Sequence, residues 1–264
     1  MKNFTALLTG TLLSCAPHAR KSAEARSLEQ DLIVNVNPRH YVVDLERRHG
    51  EEQLRVLAEN SVIEEGWVYL EMDVSGAKST SWYEIGINEA AASVTYDDKF
   101  LQHLLDVYLF WTHTSDKKIS TYHIHPFHTV DNKIKYFSAY SFPSYPSGND
   151  LDALLRMSGE ILLFTFDREA VQNYDERIAD QNGLYVISYD GEHGSKKSAD
   201  EMYQEVLAVY KDKNSNCPWT FPLRKSEAND EKAIICSKSF AERLDATATY
   251  KASFYSWDEH KEMK

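Results

Sequence analysis

Apolar positions recur at helical spacing in three stretches of the chain. From Asp97 to Trp111, Phe100, Leu101, Leu104, Leu105, Tyr108 and Leu109 share one face, the clearest helix signal in the sequence. Glu51 to Asn60 reads as a shorter helix with Leu54, Val56 and Leu57 on one side, and Ala199 to Tyr210 as an amphipathic one. Other apolar runs are β-like. Glu65 to Val74 contains Trp67-Val68-Tyr69-Leu70 and is closed by Ser75-Gly76, and Ser81 to Ile87 is suited to pair with it. Val34, Val36, Tyr41, Val42 and Val43 suggest an early strand pair. Lys118 to His125, Ile161 to Phe166 and Gly183 to Ser188 read as further strands, and Ala233 to Cys236 is strand-like. Pro146-Ser147 opens a helix through Leu151, Leu154 and Leu155. The loop 127–145 before it carries Tyr136, Phe137, Tyr140, Phe142 and Tyr145. No internal repeat and no glycine-rich phosphate loop is present. Helices mixed with strands and hairpins predict an α/β or α+β fold.

Composition narrows the partners. The chain of 264 residues is 42% hydrophobic, enough for a sizeable core. Its net charge of -12 repels phosphate backbones, so no nucleic-acid partner is expected. No apolar run reaches the ~18 residues a spanning helix needs. The amino terminus is different. Met1-Lys2-Asn3 precedes an apolar stretch from Phe4 to Leu13, and Leu12-Leu13-Ser14-Cys15 resembles a bacterial lipobox, in which the cysteine is lipidated. Residues 1–26 then read as signal and tether, with membrane contact only through lipid on Cys15. The alternative is an N-terminal helix with an ordinary cysteine. Cys217 and Cys236 remain, either a disulfide pair in an exported chain or two unrelated thiols.

The chemistry centres on Tyr122-His123-Ile124-His125-Pro126. Residues i and i+2 of a strand face the same side, so His123 and His125 point together while Ile124 faces the core on the other side. Pro126 ends the strand by removing a ladder donor. Downstream stands Ser147-Gly148-Asn149-Asp150. A serine followed three residues later by an acid also marks a helix start, with Ser147 as cap and Asp150 answering the helix dipole.

Taken together, His-x-His-Pro followed by Ser-x-x-Asp resembles the JAMM (MPN-type) zinc metallopeptidases and isopeptidases. Residues 50 to about 190 can be laid along the order of elements in that family. The resemblance implies a JAMM/cytidine-deaminase-like mixed sheet flanked by helices. It implies Zn2+ held by His123, His125 and Asp150, with Ser147 holding the polarised carbonyl oxygen. It also implies a glutamate base, and Ile63-Glu64-Glu65-Gly66-Trp67 fits the family's entry into an apolar strand. Glu65 is the first choice and Glu64 the second, since the two face opposite sides of a strand; Glu84 is a third option. Two imidazoles and a carboxylate leave a zinc ion open for water, whose pKa falls towards ~7. The base would then take the water proton and return it to the leaving amine. The link between the two motifs is longer here than in the family, so loop 127–145 would be either a substrate flap or a cover.

These observations lead to an expected organisation of signal and tether at 1–26, a JAMM-like catalytic domain at 27–195 and a helical or mixed extension at 196–264. The expected activity is zinc-dependent hydrolysis of a peptide or isopeptide bond in a protein or peptide substrate, at the cell envelope. A secreted or cytoplasmic location is the alternative. The competing readings are a JAMM-like protein-binding scaffold without catalysis and an envelope lipoprotein of unrelated function.

Overall fold

A computed structural model describes residues 41–43, 45–61, 63–74, 77–90, 93–104 except 98 and 102, 118–125, 140–141, 151, 154, 158, 174–190, 197–211, 217, 223–224 and 230–262. The elements in chain order begin with β1 (Tyr41–Val43), α1 (Arg47–Asn60), β2 (Gly66–Val74), β3 (Ala77–Glu84), β4 (Gly86–Ala90) and β5 (Ser93–Tyr96). They continue with β6 (Lys118–Ile124), β7 (Tyr140–Ser141), β8 (Tyr174–Ala179) and β9 (Gly183–Tyr189). The last are α2 (Ala199–Lys211), β10 (Leu223–Arg224), α3 (Asp230–Asp245), β11 (Tyr250–Ser256) and α4 (Trp257–Glu262). Residues 99–101, 103–104, 151, 154 and 158 are also helical.

Seven strands form one mixed sheet in the order β1-β3-β2-β6-β8-β9-β11. β6 and β8 are parallel, and the other pairs are antiparallel. Helices cover both faces, so the fold is mixed α/β, as the pattern of elements predicts. Alternation along the strands sends Val68, Tyr83, Ile119, Tyr174 and Tyr185 to one face. There they meet Phe100, Leu101 and Leu104, Leu151 and Leu154, and Phe240 and Leu244 of α3. Tyr69, Trp82, Tyr122 and Ile124 go to the other face, against Leu54 and Ala58 of α1 and Trp257 of α4.

Several boundaries differ from the sequence reading. α1 starts at Arg47, and its buried stripe is Gly50, Glu51, Leu54 and Ala58, while Val56 is exposed. The expected grouping of Leu54 with Val56 fails because two residues along a helix is a rotation of about 200°. The expected strand Ser81–Ile87 is two elements: β3 pairs with β2 over its full length, and β4 turns away to pair with β5. Ala233–Cys236 is helical. Ala233, Cys236, Ser237, Phe240 and Leu244 are buried at helical spacing, and Ile235 is exposed. A four-residue apolar run does not distinguish strand from helix.

Two sheet strands escaped the sequence reading. β8, Tyr-Asp-Glu-Arg-Ile-Ala, carries three consecutive charged residues and is assigned no element by the sequence pattern. β11 alternates buried Tyr250, Ala252 and Phe254 with exposed Lys251 and Ser253, a period-two signal inside a segment read as polar. β11 pairs with β9 from Tyr250 to Ser256, so residues 196–264 contribute to the main sheet. The early strand pair reduces to β1 against β3 among the described residues. The lipobox, Ile161–Phe166, the end of the 97–111 helix and all of loop 127–145 except β7 lie outside them. Cys217 and Cys236 form a disulfide with Cα atoms 5.4 Å apart.

Candidate functional site

β6 owes its depth in the sheet to its neighbours, antiparallel β2 and parallel β8. Tyr122 and Ile124 on its even face are fully buried against α1 and α4. Its odd positions, Ile119, Thr121 and His123, look to the other face. His123 is 3% exposed, and His125 follows directly past the strand end, its amide donating to the Ala179 carbonyl at 2.8 Å. The two side chains meet: Nε2 of His123 stands 3.0 Å from Nε2 of His125. Two nitrogens each about 2.0–2.1 Å from one tetrahedral zinc would stand about 3.3 Å apart, a small ring rotation away. The pair sits at the carboxyl ends of the parallel strands β6 and β8, the end where open α/β sheets place ligands.

The other ring nitrogen of His123 points into the protein. Nδ1 lies 3.0 Å from Oε1 of Glu176, which is 1% exposed. Glu176 sits on β8 opposite Thr121. Its Oε2 accepts from the hydroxyls of Thr121 and, at 3.1 Å, Tyr174, and its Oε1 accepts from Tyr96 at 2.9 Å. Burial, and then the negative charge of Glu176, push the Tyr174 phenol well above its ordinary value, so it remains a hydroxyl donor. Tyr96 reaches the site from β5 because Gly66 has no side chain. A Cβ on Gly66 would stand 2.7 Å from the Tyr96 ring, and Gly66 is the residue across from His123. Tyr96 and Glu176 were not among the residues the sequence singled out; an acid inside a run of charges carries no local signal of burial.

The β2–β6 register separates the candidate glutamates. Gly66 opposes His123, and the Ile124 amide donates to the Glu65 carbonyl at 3.1 Å, so the pairing continues past the end of β2. Glu65 is therefore opposite Ile124, on the α1 side, where the Ser61 hydroxyl lies 3.4 Å from its Oε1. Continued one step further, strand alternation would put Glu64 on the histidine side. Glu84 pairs with Trp67 on β3, two positions from Trp82, and so belongs to the α1 side.

Ser147 and Asp150 lie outside the described residues. Leu151, next to Asp150 in the chain, is helical and packs in the cluster on the histidine face. The capping reading of Ser-x-x-acid also has precedent within this chain. Ser198 and Glu201 exchange such bonds at the start of α2, as do Ser256 and Glu259 at the start of α4. Among the described residues, no group of three or more His, Cys, Asp and Glu side chains is arranged to hold a metal ion.

A second polar cluster lies on the opposite face. Glu51 of α1 accepts at Oε1 from Tyr122 and Arg177, each at 2.6 Å, and at Oε2 from His260 of α4 at 2.6 Å. Burial raises the Glu51 carboxyl, but the His260 bond, the Arg177 charge and the Tyr122 hydroxyl hold it below the ordinary carboxylate value. A cleft of about 280 Å³ opens on this same side, between Arg55 and Glu59 of α1, the Gln181-Asn182 turn and Trp257. The chain matches no known family model, no curated protein and no solved structure.

Proposed function

We propose that the chain is a zinc-dependent hydrolase of amide bonds, peptide or isopeptide, of the JAMM kind. The observation that carries the reading is the 3.0 Å approach of the two Nε2 atoms at the end of β6. His123 and His125 would hold the ion, with Asp150 as the third ligand implied by the motif. The donor set fits: two imidazoles and one carboxylate are a zinc set with a position left for water. When bound, zinc supplies a water acidified towards ~7. Glu64, put on the histidine side by that continued alternation, would accept the proton of the attacking water and deliver it to the departing amine. Ser147 would donate to the carbonyl oxygen as negative charge develops there. Glu65 is the weaker base candidate, because its register position faces α1.

The proposal extends to place. Lipid on Cys15 would hold the enzyme at the cell envelope, where exported peptides or proteins are natural substrates. The Cys217–Cys236 bridge supports an oxidising compartment.

Metal analysis of the purified full chain tests the reading. The wild type is expected to retain zinc stoichiometrically, and His123→Ala/His125→Ala to fall to background. Equal metal content in the two would defeat it and favour a lipoprotein whose histidines are incidental. Zinc retained without any peptide hydrolysis would favour the binding scaffold instead.

A further inference from the structure

We infer that Glu176 is the positioning residue of this centre: its carboxylate fixes His123 with the proton on Nδ1 and so makes Nε2 the atom that carries the ligating lone pair. The use made of Nε2 rests on the zinc reading; the tautomer does not.

Three observations carry the inference. First, a carboxylate oxygen accepts and does not donate, so the 3.0 Å contact between Glu176 Oε1 and His123 Nδ1 requires the hydrogen on Nδ1. Neutral His123 then has its lone pair on Nε2, the form a metal requires, and that lone pair accepts from His125 across 3.0 Å. Second, Glu176 is itself held from three directions. Thr121 on β6, Tyr174 on β8 and Tyr96 on β5 all bring hydroxyls to it. Donors from three strands leave the carboxylate little freedom to rotate away from the ring. Third, the room for Tyr96 is made by Gly66, the residue facing His123 across the β2–β6 pair. A glutamate serving only as a structural tie would be satisfied by its hydroxyls. Here Oε1 is shared between Tyr96 and the imidazole, and Tyr96 lies 3.4 Å from the same Nδ1. Outer carboxylates of this kind set the ring orientation and basicity of a ligating histidine, and their loss typically lowers metal affinity 10–100-fold.

The test uses the full chain and zinc alone. Side-chain nitrogen spectra of the metal-free wild type are expected to show His123 as the Nδ1–H tautomer. In Glu176→Gln that preference is expected to weaken, and zinc affinity, read by competition with a chelator, to fall about 10–100-fold. Tyr96→Phe, which removes one hydroxyl from a half-buried position, is expected to shift both readouts in the same direction by less. It carries the comparison if Glu176→Gln does not fold. An Nε2–H tautomer at His123 in the wild type would overturn the inference. So would unchanged tautomer and zinc affinity in both variants of a zinc-binding wild type, while leaving the hydrolase reading intact. A wild type that shows the Nδ1–H tautomer yet binds no zinc would support the positioning of the ring and overturn the hydrolase reading.

Discussion

Glu64 and Glu65 are neighbours in the chain; the β2–β6 pairing puts Glu65 on the α1 side, and the same alternation continued one residue would put Glu64 on the other. Such a choice is invisible in sequence, because it depends on which residue of one strand meets which residue of another, and a shift of one exchanges the two. The histidine pair behaves differently. Its convergence follows from the period of a single strand and needs no partner, so it is legible from the motif. The expected consequence is unequal effects on hydrolysis of a peptide substrate. Glu64→Gln should lower the rate about 10²–10⁴-fold with zinc retained, whereas Glu65→Gln should stay near wild type. The reverse ranking would return the base to Glu65. Glu176 marks the limit of reading residues one at a time. Nothing in Tyr174-Asp175-Glu176-Arg177 announces that one acid is buried against an imidazole while its neighbours look the other way.

Among the elements, β8 has the most consequence. Its alternation sends Tyr174 and Glu176 to the histidine face, and Asp175 and Arg177 to the α1 face. A run of charges so divided gives no strand signal in sequence and is an interior strand of the sheet in the fold, because each charge finds a partner. Arg177 forks onto both oxygens of Asp175 at 2.9 Å and reaches Glu51. Glu51 in turn joins α1 to β6, β8 and α4. Its folded carboxyl titrates below the ordinary value of 4.5, so its contribution is present above that value. As pH falls through the folded value the contribution is lost, since the unfolded chain takes up the proton first. Asp175 is also lowered: burial opposes ionisation, and the charge and hydrogen bonds of Arg177 outweigh it. Glu51→Gln should therefore cost about 1–3 kcal/mol at neutral pH, because Arg177 keeps Asp175 as counter-charge while its bond and those of Tyr122 and His260 to the carboxylate are weakened. It should also flatten the fall in stability on acidification from neutral pH to below the ordinary carboxylate value. Urea midpoints measured across that range check both effects, and an unchanged acid slope would show that Glu51 is not the group responsible.

At the scale of the whole molecule, the bridge between Cys217 and α3 bears on where the chain lives. With a sequence separation of 19, closing this loop removes unfolded-state entropy worth about 3 kcal/mol. The proposed anchoring is checked by mass spectrometry of the chain recovered from cells, with lipid on Cys15 and no free thiol at Cys217 or Cys236 as the expected outcome. Reduction should lower the melting midpoint. An unmodified Cys15 together with free thiols would argue against export. The mixed fold class, the strand that carries the motif and the pairing of His123 with His125 were determined by sequence alone, because each follows from local periodicity or from spacing along one element. The tertiary structure decided the rest. It made β8 and β11 sheet strands, moved Ala233–Cys236 into a helix, put Glu65 on the α1 side and brought Glu176 and Tyr96 to the imidazole. The burial of Glu176 against His123, and the approach of Tyr96 past Gly66, depend on register and packing between segments far apart in the chain.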